Sequence, residues 1–211
     1  MPSKISIQKI KLPGKKLAKN FYQRELIIVA KELLGKILVS RSGDNILSGK
    51  IVEVEAYHGD FDQAAHSFRG ITERTKIMFN EGGYLYVYFT YGAHHCCNVV
   101  TGKKGQGTAV LIRAVEPVSG IDEMIKNRFK RKLKNEKEVF NLTSGPGKVC
   151  QAFGIDRTHS GTDLKGNNIF ILDNKKIPNN EIGISTRIGI TKSVDLPWRF
   201  FTRSNPYLSR K

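Results

Sequence analysis

The chain has 211 residues, with 35 Lys and Arg against 19 Asp and Glu and a formal net charge of +16. Hydrophobic residues make up 39% of it, which excludes a collagenous or low-complexity chain and argues against global disorder. The basic side chains concentrate in residues 1–24, 126–137 and 199–211, and these three segments account for the net positive charge. Such a distribution favours a nucleic-acid partner over an anionic membrane surface.

The apolar stretches and the cysteines indicate the cellular compartment of the protein. The longest apolar stretches, such as residues 26–30, fall far short of the roughly 20 residues of a transmembrane helix. The N-terminus lacks the apolar segment of a secretory signal. The three cysteines, Cys96, Cys97 and Cys150, form an odd and sparse set without zinc spacing. We therefore expect a cytoplasmic protein without a disulfide framework or a membrane partner, associated with the nucleoid if its source is bacterial, with a nuclear location left open.

The predicted elements begin with a basic arm over residues 1–19, interrupted at Pro13-Gly14. Apolar residues at helical spacing then predict a helix over 26–33 that ends at Gly35. Further strands are predicted at 36–40, 49–57, 84–91, 108–115, 168–172 and 186–190, and further helices at 121–134 and 146–153. Regular crossover helices do not separate these strands. The pattern predicts one mixed α/β (α+β) domain over residues 20–211, built around a largely antiparallel sheet.

The strand at 51–57 alternates strictly and places Glu53, Glu55 and Tyr57 on one face. Two carboxylates beside an aromatic ring are typical of a general-base site. The alternative is a solvent-facing polar strand, which this pattern alone favours.

The strand at 108–115 places Leu111 and Arg113 on the same face. A buried arginine needs an anionic partner. That partner is either a carboxylate such as Glu55, in a purely structural pair, or a phosphate.

The segment 84–92 carries five aromatic residues in its first eight positions. Tyrosines can stack on nucleic-acid bases, although most of these side chains are equally consistent with core packing. Gly92 permits a turn that would present Tyr91 at its tip.

A metal site is not specified by the sequence. Its acidic and histidine side chains near residue 60 could be combined into one, but they lack ligand spacing: Glu55, His58, Asp60, Asp62 and His66. The segment 145–148 also lacks the spacing of a phosphate-binding loop. We therefore expect no metal and no cofactor.

Six stretches, in this order along the chain, match a known family. They are GKIVEVEAYHG (49–59), DQAAHS (62–67), MFNEGGYLYVYFTYGAHHCCNVV (78–100), AVLIRAVEP (109–117), LTSGPGKVCQAFGI (142–155) and RFFTRSNPYLS (199–209). Over residues 20–209 the chain resembles the alkyladenine DNA glycosylases, also called 3-methyladenine or methylpurine DNA glycosylases. The resemblance implies a single domain with a curved antiparallel sheet and flanking helices.

The resemblance also implies an activity. A monofunctional glycosylase of this family flips a damaged purine out of double-stranded DNA and hydrolyses its N-glycosidic bond, leaving an abasic site. The expected base is 3-methyladenine, with 7-methylguanine, hypoxanthine and ethenoadenine as further candidates. The reaction needs no metal or nucleotide cofactor, and a monomer is expected.

Roles carry over from the family to matching positions. Glu55 would deprotonate the attacking water, and Arg113 and the main-chain carbonyl of Thr202 would hold that water. The residues expected around the base are Tyr57, His66 and Tyr88, which stack on it, Asn98, which excludes guanine, Leu111, which shapes the pocket, and Tyr91, which enters the duplex as a wedge.

Two features depart from the family pattern, and alternatives to its activity stay open. Residues 72–75 replace a TPRN-like segment, so DNA contacts of this loop are in doubt, and residues 94–97 receive no role. A glycosylase/lyase that forms a Schiff base through the Pro2 amine is one alternative. A non-catalytic basic module that binds DNA is a second, and RNA as the partner is a third.

Overall fold

The computed structural model describes residues 14–43, 45–90, 92 and 94–210. Within them, eight strands run in chain order: β1 (Ile37–Ser42), β2 (Asn45–Tyr57), β3 (Leu85–Thr90), β4 (His94–Thr101), β5 (Thr108–Ser119), β6 (Ile169–Leu172), β7 (Ile182–Ser185) and β8 (Arg199–Thr202). The α-helices are α1 (Lys19–Tyr22), α2 (Leu26–Leu33), α3 (Ile121–Phe129) and α4 (Pro146–Phe153). Short 3₁₀ helices lie at His66–Arg69, Lys76–Phe79, Glu136–Asn141, Arg157–His159 and Asn179–Glu181.

All strands belong to one open antiparallel sheet with the order β3-β4-β5-β2-β1-β6, and β8 joins β2 to β7. The long strand β2 pairs with β5 along one side. On its other side it pairs first with β1 and then, over residues 53–55, with β8. Register shifts between β2 and β5 occur on both sides of Glu53. Such bulges bend a strand, so the sheet curves where the two carboxylates lie.

The two faces of the sheet have different environments. Helices α2 and α4 bury apolar side chains such as Val29 and Phe153 in a core shared with Val54 of β2. Since neighbouring residues of a strand point to opposite faces, Glu53 and Glu55 lie on the face away from this core. The helical face therefore stabilises the fold, and the other face is left to form a cavity.

Most predicted elements are confirmed, including the mixed α/β class and the antiparallel sheet. Helix α2 has the predicted bounds, and Gly35 adopts a left-handed φ of 83° just after it. Helix α4 begins at Pro146 as predicted and ends at Gly154. Helix α3 is shorter than predicted because Lys130 adopts a left-handed conformation and ends it.

The prediction of a strand at residues 186–190 is wrong. Strand β7 lies just before it, and residues 186–190 form a loop instead. In this loop Arg187 binds a buried carboxylate, and the Ile188 N–H donates to another side chain, so these groups do not form a β-ladder. The sequence patterns do not predict β4, β7 or β8.

Part of the predicted basic arm packs against the domain. Leu17 is buried, and its N–H donates a 2.9 Å hydrogen bond to the Ile171 carbonyl of β6. The folded domain therefore extends back at least to residue 14, whereas residues 1–13 of the arm lie outside the described residues. No helix in the described part of the chain is long and apolar enough to span a membrane.

Candidate active site

A cavity of about 780 Å³ opens on the sheet face that carries Leu111 and Arg113. Its floor and walls come from β2, β3, β4 and β5, from the segments around residues 64 and 190, and from the start of α4. Among the residues that line it are Tyr57, His66, Tyr86, Tyr88, Cys96, Asn98, Leu111, Arg113, Arg128, Lys148, Ile188 and Lys192. A purine-sized ligand fits a cavity of this volume.

Glu55 is fully buried and held by three hydrogen bonds. Its Oε2 accepts from the Tyr57 hydroxyl at 2.9 Å and from Arg113 Nη1 at 3.1 Å. Its Oε1 accepts from the main-chain N–H of Ile188 at 2.7 Å. A carboxylate has about four acceptor positions, so these bonds fix the group and use three of them.

Arg113 is the anion-paired arginine that the strand pattern predicts. It lies beside Leu111 on the cavity face of β5, with only 7% of its surface exposed. Burial by itself lowers the pKa of its guanidinium, but the carboxylates of Glu55 and Glu53 outweigh this and raise it. Arg113 therefore stays charged, and its partner in this structure is a pair of carboxylates.

Aromatic rings form one wall of the cavity. The ring centroids of His66 and Tyr88 are 4.4 Å apart and the planes meet at 76°, while Tyr86 stacks on Tyr88 at 5.7 Å. His66 Nδ1 lies 3.1 Å from the Tyr86 hydroxyl. Burial, with a smaller effect of the Arg74 charge, lowers the pKa of His66 to about 4. Burial also raises the pKa of Tyr57 and Tyr88, so the whole wall is neutral at physiological pH.

Asn98 and Leu111 face each other across β4 and β5 and both line the cavity. The Asn98 side chain is oriented because its Nδ2 donates to the Tyr86 carbonyl at 3.3 Å. A fixed amide beside an aliphatic side chain can discriminate between purine edges by shape and hydrogen bonding.

The family model described as methylpurine-DNA glycosylase (MPG) matches residues 20–206. The chain belongs to the methylpurine-DNA glycosylase family. A protein of Alkaliphilus oremlandii named "Putative 3-methyladenine DNA glycosylase" is 48% identical over 202 residues, covering 93% of this chain and 100% of its own. Two further proteins carry the same name and are also 48% identical to this chain. The protein from Clostridium novyi covers 93% of this chain and 100% of its own length, and the protein from Carboxydothermus hydrogenoformans covers 92% of this chain and 99% of its own length.

The structure brings together most of the residues to which the family resemblance gave roles. Six of them line the cavity: Tyr57, His66, Tyr88, Asn98, Leu111 and Arg113. Glu55 is bound directly to two of these, Tyr57 and Arg113. Gly92 has the left-handed φ, 64°, that the predicted turn requires. Tyr91, the expected wedge, lies outside the described residues.

The structure places Thr202, whose carbonyl is expected to hold the water, away from Glu55. Glu55 pairs with Arg199 of β8, and Thr202 lies three residues further along that strand, about 10 Å away. The main chain that touches Glu55 belongs to Ile188. This loop was missed because the segment around Ile188 reads as an apolar strand, and its only distinguishing signal is Arg187 within it.

A second buried ion pair was also missed. Arg187 donates to both oxygens of Asp62, at 2.8 Å through Nη2, and both side chains are fully buried. The guanidinium carbon of Arg187 lies 4.6 Å from the centre of the Tyr57 ring. The pair therefore connects the loop of Ile188 to the segment after β2, and its guanidinium packs against the ring of Tyr57.

The same pair bears on the metal ligands considered from sequence. Asp62 is occupied by Arg187 and Glu55 by Arg113, so two of those five side chains are engaged with guanidinium groups. Among the described residues, no group of three His, Cys, Asp or Glu side chains is arranged to hold a metal ion.

Proposed function

We propose that this protein is a monofunctional DNA glycosylase that flips an alkylated purine out of double-stranded DNA and hydrolyses its N-glycosidic bond. Membership of the methylpurine-DNA glycosylase family supports the reaction class. The single observation that carries the proposal is Glu55, a buried carboxylate fixed by three donors at a cavity with aromatic walls. The proposed base is 3-methyladenine, and release of 7-methylguanine, hypoxanthine or ethenoadenine is left to experiment.

In this mechanism Glu55 accepts a proton from the attacking water. Its remaining acceptor position orients that water, and Arg113 helps to hold both groups in place. The negative charge of Glu55 also stabilises the positive charge that develops on the sugar as the glycosidic bond breaks. We assign the main-chain contact at this carboxylate to Ile188 instead of Thr202, because Ile188 lies beside Glu55.

The neutral aromatic wall suits a cationic base. An alkylation at N3 of adenine leaves a positive charge on the purine, and an aromatic face attracts such a cation by roughly 0.5–2 kcal/mol. Because His66 is uncharged, it stacks without repelling the cation. The glycosidic bond of a cationic purine is already weakened, so one general base suffices and no acid is needed for the leaving group.

The cavity rim provides contacts for DNA. Arg128, Lys148 and Lys192 line the cavity and add positive charge, and phosphate contacts of this kind position DNA without reading its sequence. Tyr91 is proposed as the wedge that fills the space left by the flipped nucleotide. We propose that the protein acts as a monomer in the cytoplasm, on chromosomal DNA.

The deciding experiment measures free bases released from methylated duplex DNA, in the presence of a chelator, by the wild type and Glu55→Gln. Glu116→Gln removes a half-buried carboxylate that pairs with Lys50 and serves as the matched control. Release of 3-methyladenine by the wild type and the control, but not by Glu55→Gln, supports the proposal. A folded wild type that binds duplex DNA and releases no base would instead favour a non-catalytic binding module. Borohydride trapping of an enzyme–DNA adduct would show a lyase.

A further inference from the structure

Glu53 is the second buried carboxylate of β2, and it accepts four hydrogen bonds. Arg113 Nε donates at 3.2 Å and Arg199 Nε at 2.7 Å. The main-chain N–H and the hydroxyl of Ser209 donate at 2.6 and 2.7 Å. Neither carboxylate of β2 is itself among the residues that line the cavity, but all three donors to Glu55 line it, whereas Arg113 is the one donor to Glu53 that does. Its donors come from β5, β8 and the C-terminal segment.

Glu55, Arg113, Glu53 and Arg199 form one alternating row of charges. Arg113 uses Nη1 for Glu55 and Nε for Glu53, whereas an arginine facing a single carboxylate commonly binds it with two parallel hydrogen bonds. Glu53 therefore keeps part of the Arg113 guanidinium away from Glu55. The row contains two negative and two positive charges and is neutral as a whole.

We propose that Glu53 is a positioning residue that holds Arg113 between the two carboxylates and so keeps Glu55 free to accept a proton. This inference rests on the proposed function, since it concerns the same general base. Arg199 and Ser209 hold Glu53 in turn. Without the Glu53 charge, Arg113 would bind Glu55 with two donors, and the carboxylate would become a weaker base.

Arg128, Lys148 and Lys192 line the same cavity and are the same in every variant. The other groups near Glu55 are uncharged or engaged elsewhere. Tyr57 donates its hydroxyl to Glu55. The pKa of Tyr88 on β3 and of Cys96 on β4 is raised by burial, so both stay neutral. On the side of the Ile188 loop, the charge of Arg187 is paired with Asp62. The balance of charge at Glu55 therefore depends on Arg113, Glu53 and Arg199.

The test is the pH dependence of single-turnover base release from duplex DNA containing 3-methyladenine. The acidic limb of this profile reports protonation of the general base. Glu53→Gln should shift the limb to lower pH by about one unit, because one negative charge near Glu55 is lost. Arg199→Gln should shift it to higher pH by a similar amount. The double variant restores the charge balance, so its limb should return to that of the wild type.

Glu32→Gln is the matched control, since it removes a carboxylate that pairs with Arg24 and Lys176 outside the cavity lining; its limb should coincide with that of the wild type. Circular dichroism verifies that each variant is folded. If the charge variants do not fold, Ser209→Ala tests the row without a change of charge, because the Ser209 hydroxyl donates to Glu53 and accepts from Arg113 at 3.3 and 3.4 Å. Its loss changes how Arg113 is held between the two carboxylates, so the limb should shift by a few tenths of a pH unit.

The outcomes separate this inference from the proposed function. Opposite shifts of the two single variants support the positioning role. The inference is overturned if the wild type releases the base and the acidic limbs of all folded variants, including Ser209→Ala, coincide with that of the wild type. The proposed function is unaffected by that result. A wild type that releases no base overturns both.

Discussion

The main-chain N–H of Ile188 donates a 2.7 Å hydrogen bond to Oε1 of Glu55, although 133 positions separate the two residues in the chain. The bond fixes the rotation of the carboxylate, because Oε2 is held at the same time by Tyr57 and Arg113. A general base needs such a fixed orientation towards its water. The loop of Ile188 is therefore part of the candidate site.

Glu55→Gln should reduce the rate of 3-methyladenine release by about 10²–10⁴-fold, the usual contribution of a general base. Glutamine retains the size of the side chain, so binding to damaged duplex should stay within a few-fold of the wild type. Single-turnover kinetics and a gel-shift titration measure the two effects. Equal losses of rate and of binding would contradict a purely catalytic role.

Tyr88→Leu should weaken the binding of a cationic base in the cavity. Loss of one aromatic face is worth roughly 0.5–2 kcal/mol, so kcat/KM for 3-methyladenine should fall by about 2- to 30-fold. Tyr88→Phe keeps the ring and should stay close to the wild type, which makes it the matched control. If the phenylalanine variant is as impaired as the leucine variant, the hydroxyl, and not the ring face, is what matters.

Asn98→Ala should relax the exclusion of guanine. The amide lines the cavity and is held in one orientation by the Tyr86 carbonyl, and its removal leaves space for the exocyclic amine of guanine. The ratio of 7-methylguanine to 3-methyladenine released from the same methylated DNA should therefore rise. An unchanged ratio would show that Asn98 does not set this preference.

His66 should make the protein less stable in acid. Its pKa falls from 6.5 to about 4 in the folded protein, so the unfolded chain binds more protons between these values. The free energy of unfolding should therefore decrease as the pH falls from about 6.5 to 4. His66→Gln should reduce this decrease in thermal unfolding at several pH values, and an unchanged pH dependence would contradict the assignment.

Removing one partner of the buried pair of Arg187 and Asp62 should strongly destabilise the protein. Asp62→Ala leaves a fully buried guanidinium without its anion, which costs about 3–5 kcal/mol. Glu73→Ala breaks the pair with Lys76, whose side chains are 92% and 54% exposed, and should change stability by less than about 1 kcal/mol. Urea unfolding measures both values, and similar losses would contradict the assignment.

The sequence specifies the local elements of this protein well. Alternation in β2 and β5 places Glu55 and Arg113 on strands with the correct faces, and Gly35 and Gly154 mark two helix ends. These features depend on side chains a few positions apart, which a single sequence displays directly. The family resemblance adds the order of the motifs and the residues around the base.

Only the tertiary structure decides how the carboxylates are used. From the sequence, the alternation in β2 by itself favours a solvent-facing strand, and the family resemblance gives the main-chain role near Glu55 to Thr202, whereas the structure places the main chain of Ile188 there. The structure buries Glu53 and Glu55 and joins them to Arg113, Arg199 and Ser209 from distant parts of the chain. Each of these contacts requires the curvature of the sheet and the path of a loop, and no local periodicity encodes either of them.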